Sequence, residues 1–279
     1  MHGSPMSAFV AALPMYDWPE VRAEVDARWA AMRDRLRAAG IDAPERLARR
    51  NADLPPVPGG IRDRDGRPIG PDPATLPPDE FDLPTLWRHP MLLLSQTCWG
   101  PMIATGLAEH VTVVGQPDYS GIEGGEGTLY SSAIVMRRDA GAADMPGPGD
   151  GRPRLPEVLG GLRLAVNGLD SMSGWLGIAE DAAQAGLRLA PALVSGSHRA
   201  SIRAIAAGEA DIAAIDCRSW ALARRFEPAA GELVVAGWTG RRKGLPLVAA
   251  ALLDHEIVAA LEAVLGGASF EGRSARVPG

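Results

Sequence analysis

Val21, Val25, Trp29, Met32 and Leu36 recur at intervals of three and four residues, with acids and arginines between them. That spacing places the five on one face of an amphipathic helix, which Gly40 is suited to end. Pro19 stands where a first-turn proline belongs, followed by Glu20. Upstream, the apolar run 8–15 closes on Pro14-Met15-Tyr16-Asp17 and reads as a short buried strand. The core resumes with strands at 91–94, 111–114 and 129–137, the first two separated by a short helix over 101–109. From 155 onward the pattern alternates. Strands are expected at 162–167, 190–194, 211–215 and 232–238, and helices at 172–185, 198–207 and 217–225. A further apolar stretch covers 247–253 and a last helix 254–265. This alternation predicts a largely parallel sheet with helices on its faces.

Between these segments lie stretches rich in Pro, Gly and Asp. Residues 51–90 read as a long irregular surface excursion, and 139–153 as a loop. Gly121-Ile122-Glu123-Gly124-Gly125-Glu126-Gly127 lacks the Gly-Lys-Ser/Thr ending of a P-loop, and its two acids would repel a nucleotide phosphate.

Composition narrows the class. The chain has 279 residues, 46% hydrophobic and 22% charged, which is globular and large enough for two lobes. A net charge of −6 leaves no nucleic-acid footprint. Lys243 is the only lysine. Cys98 and Cys217 form no metal-ligand cluster, and nothing argues for a disulfide, so both are expected as buried small hydrophobes. No metal and no cofactor are expected. No segment is apolar enough over a sufficient length to span a bilayer. Residues 1–16 carry no basic n-region, so the chain as written reads as cytoplasmic, and as periplasmic if a leader has been removed.

Candidate chemistry sits at two strand-to-helix turns. One runs Asn167-Gly168-Leu169-Asp170-Ser171-Met172-Ser173-Gly174, the other Ser195-Gly196-Ser197-His198. A helix start offers unpaired backbone N–H groups and the positive end of the dipole, which favour an anion. Ser hydroxyls and an imidazole add donors that can turn toward an oxyanion. Ser171 and Ser173 are equally suited to ordinary helix capping, and Asp216, after an apolar strand, to either an N-cap or a ligand acid. Strand carboxyl ends collect ligands in α/β sheets, which also brings Tyr16 and the turn Gln96-Thr97-Cys98-Trp99 into view. Arg199 and Arg203 are expected to give at least one solvated charge.

Taken together, Ser171-Met172-Ser173-Gly174, Ser195-Gly196-Ser197-His198-Arg199-Ala200-Ser201 and Ala210-Asp211-Ile212-Ala213-Ala214-Ile215-Asp216 resemble the phosphonate-binding (PhnD-like) family of ABC-transporter substrate-binding proteins. The resemblance implies a type II periplasmic-binding fold, α/β, of two lobes with a ligand cleft between them. Residues 1–116 with 239–279 would form one lobe and 117–238 the other. It implies a monomer that traps a phosphonate, phosphite or phosphate and works with an ABC permease. By position, Ser171, Met172 and Ser173 would form the oxyanion cup and His198 a second donor. Tyr16 would be an aromatic donor from the other lobe, Asp216 the acid facing a ligand ammonium, and Gln96, Thr97 and Trp99 further contacts. Met172 replaces a common Thr and Trp99 a common Tyr. The alternatives are a cytoplasmic ligand sensor of the same fold and a Ser/His-dependent enzyme. Against the latter, neither turn carries the Gly-x-Ser-x-Gly pattern of a nucleophile elbow.

Overall fold

The spacing read from Val21 to Leu36 is realised as a helix whose five apolar residues are all buried, in a computed structural model that describes residues 9–141 and 143–266. Residues 1–8 and 267–279, which the sequence assigns to the first lobe, lie outside the described residues. In chain order the elements are β1 (Val10–Ala12), α1 (Arg22–Ala38), β2 (Ile61–Arg62), β3 (Pro68–Gly70), α2 (Leu83–Arg88), β4 (Leu92–Gln96), α3 (Trp99–Ala104) and β5 (Val111–Gly115). There follow β6 (Gly125–Glu126), β7 (Leu129–Tyr130), β8 (Ser132–Arg137), β9 (Leu164–Val166), α4 (Gly177–Gln184), β10 (Pro191–Val194) and α5 (His198–Ala206). The last are β11 (Ile212–Asp216), α6 (Cys217–Phe226), β12 (Leu233–Trp238), β13 (Arg242–Lys243), β14 (Leu247–Ala250) and α7 (His255–Gly266). The fold is mixed α/β and divides into two units. One holds the chain through Thr97, Pro101–Pro117 and the stretch from Leu245; the other holds Cys98–Gly100 and Asp118–Gly244.

In the first unit the sheet order is β1-β4-β14-β5. β1 and β4 run parallel, and β14 runs against both β4 and β5. α7 packs on β5 and on α1. Trp29 anchors α1 at its other side by donating its indole N–H to Pro44 O at 3.1 Å. Residues 51–90 are not the irregular excursion their composition suggests. Asn51, 2% exposed, donates to Pro77 O at 2.8 Å and accepts from the Asp82 N–H at 2.8 Å, stitching the two ends of the segment together. Ile61, Leu86 and Trp87 are buried along it. His89 is fixed as one tautomer: Nδ1 accepts from the Met91 N–H, so Nε2 carries the hydrogen toward Pro55 O at 3.0 Å.

In the second unit the order is β10-β9-β11-β8-β12. β10, β9 and β11 are parallel, but β8 runs antiparallel to β11 and to β12. The largely parallel sheet expected from alternation is therefore a mixed one. A continuous apolar run such as that in β8 reports that both faces are covered, not which way the strand points. Ile178 and Ala182 of α4 pack on Ile134, Met136, Leu164, Val166, Ile212 and Ala214, forming one side of the core. α5 packs on β9 and β11. The strand expected over 129–137 breaks at Ser131, where β7 leaves to pair with β6 and β13. Residues 239–244, which the sequence places in the first lobe, cluster with the second unit because they bond to it: Thr239 N–H to Ser132 O at 2.9 Å, Gly240 N–H to Asp181 Oδ2 at 2.8 Å, and Arg242 to Asp181 and Gly177 O.

Truncating Asn51 to Ala leaves the Asp82 N–H and the Pro77 carbonyl, each in a part-buried hydrogen bond, without these partners. The expected loss is about 2–3 kcal/mol, read as a lower denaturant midpoint of the first unit.

Candidate functional site

Because β9, β10 and β11 are parallel, their carboxyl ends fall on one edge of the sheet, and the turns that follow them meet there. The first turn, Asn167 to Asp170, leads into a wide π-type turn over Met172–Leu176 before α4 begins at Gly177, five residues later than the sequence suggests. The hydrogen bond from Leu176 N–H back to Ser171 O, 2.9 Å, defines that widening. The second turn ends with Ser197 capping α5 by accepting from the Ala200 N–H, so His198 is the first helical residue. The third ends with Asp216, whose Oδ1 accepts from the Arg218 and Ser219 N–H groups at 3.1 and 3.0 Å and so caps α6.

These three turns converge on one imidazole. His198 Nε2 lies 2.8 Å from Ser173 Oγ and 3.3 Å from Asp216 Oδ2. Ser173 Oγ is in turn 3.4 Å from Ser171 Oγ. Burial holds the imidazole below its ordinary 6.5, partly offset by the Asp216 carboxylate, so the ring is neutral at neutral pH. His198 Nδ1 and Asn167 Oδ1 are both buried without a hydrogen-bond partner.

The backbone N–H groups of the cup are engaged within the protein. Met172 N–H points to Cys98 Sγ at 3.3 Å, and Gly174 N–H to Ser171 Oγ at 3.1 Å. Burial raises the Cys98 thiol above its ordinary value, so it is a neutral, weak acceptor. Cys98 and Cys217 are both free thiols, Cys217 buried and Cys98 partly so. Two close approaches require glycine. A β-carbon on Gly100 would fall 1.6 Å from Asp170 O, and one on Gly174 would fall 1.8 Å from Asn167 Oδ1.

Of the residues named from sequence, Ser171, Ser173, His198 and Asp216 are brought together, with Met172 in the same turn. Trp99 belongs to the second unit and donates its indole N–H to Gly244 O at 2.7 Å, with Lys243 Nζ 5.8 Å from its ring centroid. Tyr16, Gln96 and Thr97 belong to the first unit and are buried there. The Gln96 backbone oxygen accepts from the Trp87 indole, and Thr97 Oγ1 is buried without a partner. Arg199 and Arg203 both pair with the buried carboxylate of Glu227, at 2.7 and 2.8 Å; Arg203 alone keeps a largely exposed side chain. Sequence reasoning quoted Asn167 and Gly174 within the first turn without giving either a role, and passed over Gly100 and Tyr130. Tyr130 is buried with its ring stacked on Tyr119, and its hydroxyl lies within reach of the charge on Asp216. Only three-dimensional proximity shows what these four do. Among the described residues no group of three or more His, Cys, Asp or Glu is placed to hold a metal ion, and no helix is long and apolar enough to cross a membrane.

Residues 100–276 match the family described as ABC transporter, phosphonate, periplasmic substrate-binding protein. The chain belongs to this family. Its members are substrate-binding transport proteins rather than enzymes. The ring geometry agrees, since a hydrolytic triad sets serine and acid on opposite imidazole nitrogens, whereas here both meet Nε2. No curated relative matches the chain. Solved structures reproduce the periplasmic-binding fold. PhnD1 of Prochlorococcus marinus, in complex with methylphosphonate, is 15% identical, with a TM-score of 0.60 over 92% of this chain and 82% of that one. A binding-protein component of an ABC phosphonate transporter from Pseudomonas aeruginosa is 16% identical, with a TM-score of 0.57 over 93% and 74%. A Xanthomonas citri protein bound to ATP is 14% identical, with a TM-score of 0.56 over 93% and 82%.

Two expectations follow. Replacing Gly100 with Ala forces the 170–173 turn away and lowers stability by about 1–3 kcal/mol, read by chemical denaturation. His198 and His89 are both held below their ordinary values, mainly by burial, so the unfolded chain binds more protons than the folded one below pH about 6.5. Stability is complete above that pH and declines as pH falls toward the folded-state values. A His198→Gln variant shows a shallower acid slope in denaturation midpoints collected from pH 7.5 to 5.

Proposed function

We propose that this chain captures a small phosphorus oxyanion, with a phosphonate as first choice and phosphite or phosphate as related candidates, for uptake through an ABC permease in the periplasm. The observation that carries the reading is the pair Ser173 Oγ and His198 Nε2, 2.8 Å apart and drawn from the starts of two successive helical segments. Hydroxyls rotate, so Ser171 and Ser173 can turn their hydrogens toward a ligand oxygen while His198 holds the second of them in place. The Met172 and Gly174 amides rest on a thiol and a hydroxyl. Both are weaker acceptors than an oxyanion, and charge-assisted hydrogen bonds are roughly twice as strong as neutral ones. A bound anion therefore gains more from these donors than their internal partners do. The positive end of each helix dipole adds to the same preference.

Asp216 enters as the selector. Its carboxylate disfavours a bare dianion and favours a ligand carrying a compensating ammonium or proton. Met172 and Trp99 are the side chains proposed to meet the organic tail. Tyr16, Gln96 and Thr97 are the contributions proposed from the first unit.

Methylphosphonate, the ligand of the Prochlorococcus marinus neighbour, is the simplest probe. Calorimetric titration should give measurable affinity for methylphosphonate in the native protein. Ser173→Ala and His198→Gln should each weaken it about 10–100-fold, the loss of one charge-assisted hydrogen bond. Arg152→Ala, a change at an exposed loop residue, should leave it unchanged. A native protein that ignores methylphosphonate, phosphite and phosphate at millimolar concentration overturns the reading. In Asp216→Asn, the preference for an aminoalkylphosphonate over phosphate should fall; an unchanged ratio removes Asp216 from the selecting role.

A further inference from the structure

Two buried acceptors at this site have no donor. His198 Nε2 faces the Asp216 carboxylate, which accepts only, so in the neutral ring the hydrogen sits on Nε2 and Nδ1 carries a bare lone pair. Asn167 Oδ1 is likewise buried and unpartnered. The two groups border the same space above Gly174: a β-carbon there would fall 1.8 Å from Asn167 Oδ1 and 3.3 Å from His198 Cε1, the ring carbon bonded to Nδ1. Buried polar atoms without partners are uncommon, and two orphaned acceptors that border the same glycine ask for a donor hydrogen.

We propose that anion capture is accompanied by uptake of one proton on His198 Nδ1, with Asn167 as the positioning residue whose Oδ1 accepts it. This rests on the reading of the site as an oxyanion trap and adds its proton linkage. The balance is simple: one proton moves from solvent to Nδ1, no bond between heavy atoms changes, and the ring becomes an imidazolium with hydrogens on both nitrogens. Without an anion, burial opposes that charge and the ring stays neutral. With an oxyanion on Ser173 and the Asp216 carboxylate at 3.3 Å, the cation is flanked by two negative groups. An opposite charge within about 4–6 Å raises a histidine by about 1–3 units.

Among the described residues the surroundings supply no competing cation. From β11 and the start of α6 the ring meets Asp216, beyond which lie Tyr130 and Cys217, both pushed up by burial and therefore neutral. Arg218 lies beside Cys217 and donates to Asp118 O. On α5 itself, Arg199 and Arg203 pair with Glu227. From the π-type turn the contact is the neutral Ser173 hydroxyl, and behind it the neutral Cys98 thiol. Among the described residues, the charge that acts on the ring is that of Asp216.

The deciding measurement is the His198 ring observed by NMR in protein labelled at histidine, titrated from pH 5 to 9 alone and saturated with methylphosphonate. The expected result is an upward displacement of the ring's titration midpoint by about 1–3 units in the complex. Calorimetry in buffers of differing ionisation enthalpy, at the pH midway between the free and bound midpoints, should then give about half a proton or more taken up per ligand. In His198→Gln any uptake that persists belongs to the phosphonate itself and is subtracted. Asn167→Leu, of similar size without the acceptor, should remove at least half of the midpoint shift. A ring whose titration midpoint is no higher in the saturated complex than in the free protein overturns this inference and leaves the trap reading standing. Absence of methylphosphonate, phosphite and phosphate binding overturns both. An unchanged midpoint in the Asn167→Leu complex removes Asn167 from the assignment.

Discussion

One imidazole nitrogen serves two partners, and the candidate site at the second unit's strand ends depends on it. Ser173 comes from the turn after β9, His198 from the turn after β10 and Asp216 from the end of β11. Each is constrained independently of the others. Asp216 spends one oxygen capping α6, which leaves the other to face the ring. Ser195 bonds back to Val166 O and to Ser201, which fixes the start of α5 against β9. The widened turn at Met172–Leu176 sets Ser173 one step away from where a regular helix would carry it. The resulting constellation comes from rigid elements, the condition under which small errors in donor position stay small.

The cup is shaped as much by missing side chains as by those present. Gly100 lets the carbonyl of Asp170 come close, and Gly174 lets the Asn167 amide lie over the turn. Cys98 then closes the floor as an acceptor with little pull on the Met172 amide. A stronger acceptor at this position would compete with an incoming anion for the same N–H. A neutral, partly buried thiol holds the turn in shape and yields the donor easily.

Much of this was legible in the chain itself, for physical reasons that differ by element. The face from Val21 to Leu36 announces itself because a helix must bury one stripe. The helix starts carrying Ser171, His198 and Asp216 announce themselves because capping and anion contact draw on the same few residue types. Strand direction is different. The apolar core of β8 reads alike either way, so its antiparallel course between β11 and β12 is a property of topology and not of composition. Residues 51–90 mislead because Asn51 looks like any loop polar residue until its amide is seen joining Pro77 and Asp82. Asn167 and Gly174 stand in the quoted turn, but their roles are hidden there for a related cause: their importance lies in what approaches them through space.

The pairing of Lys243 with Trp99 has a practical use. With one lysine in the whole sequence, amine-directed chemistry has a single side-chain target, and that amine lies 5.8 Å from an indole centroid. The indole is itself tethered to the neighbouring Gly244 carbonyl, so the two segments at 98–100 and 242–244 hold each other. A dye attached at this position would sit beside a built-in quencher, giving an optical gauge at the place where the chain passes from one unit to the other.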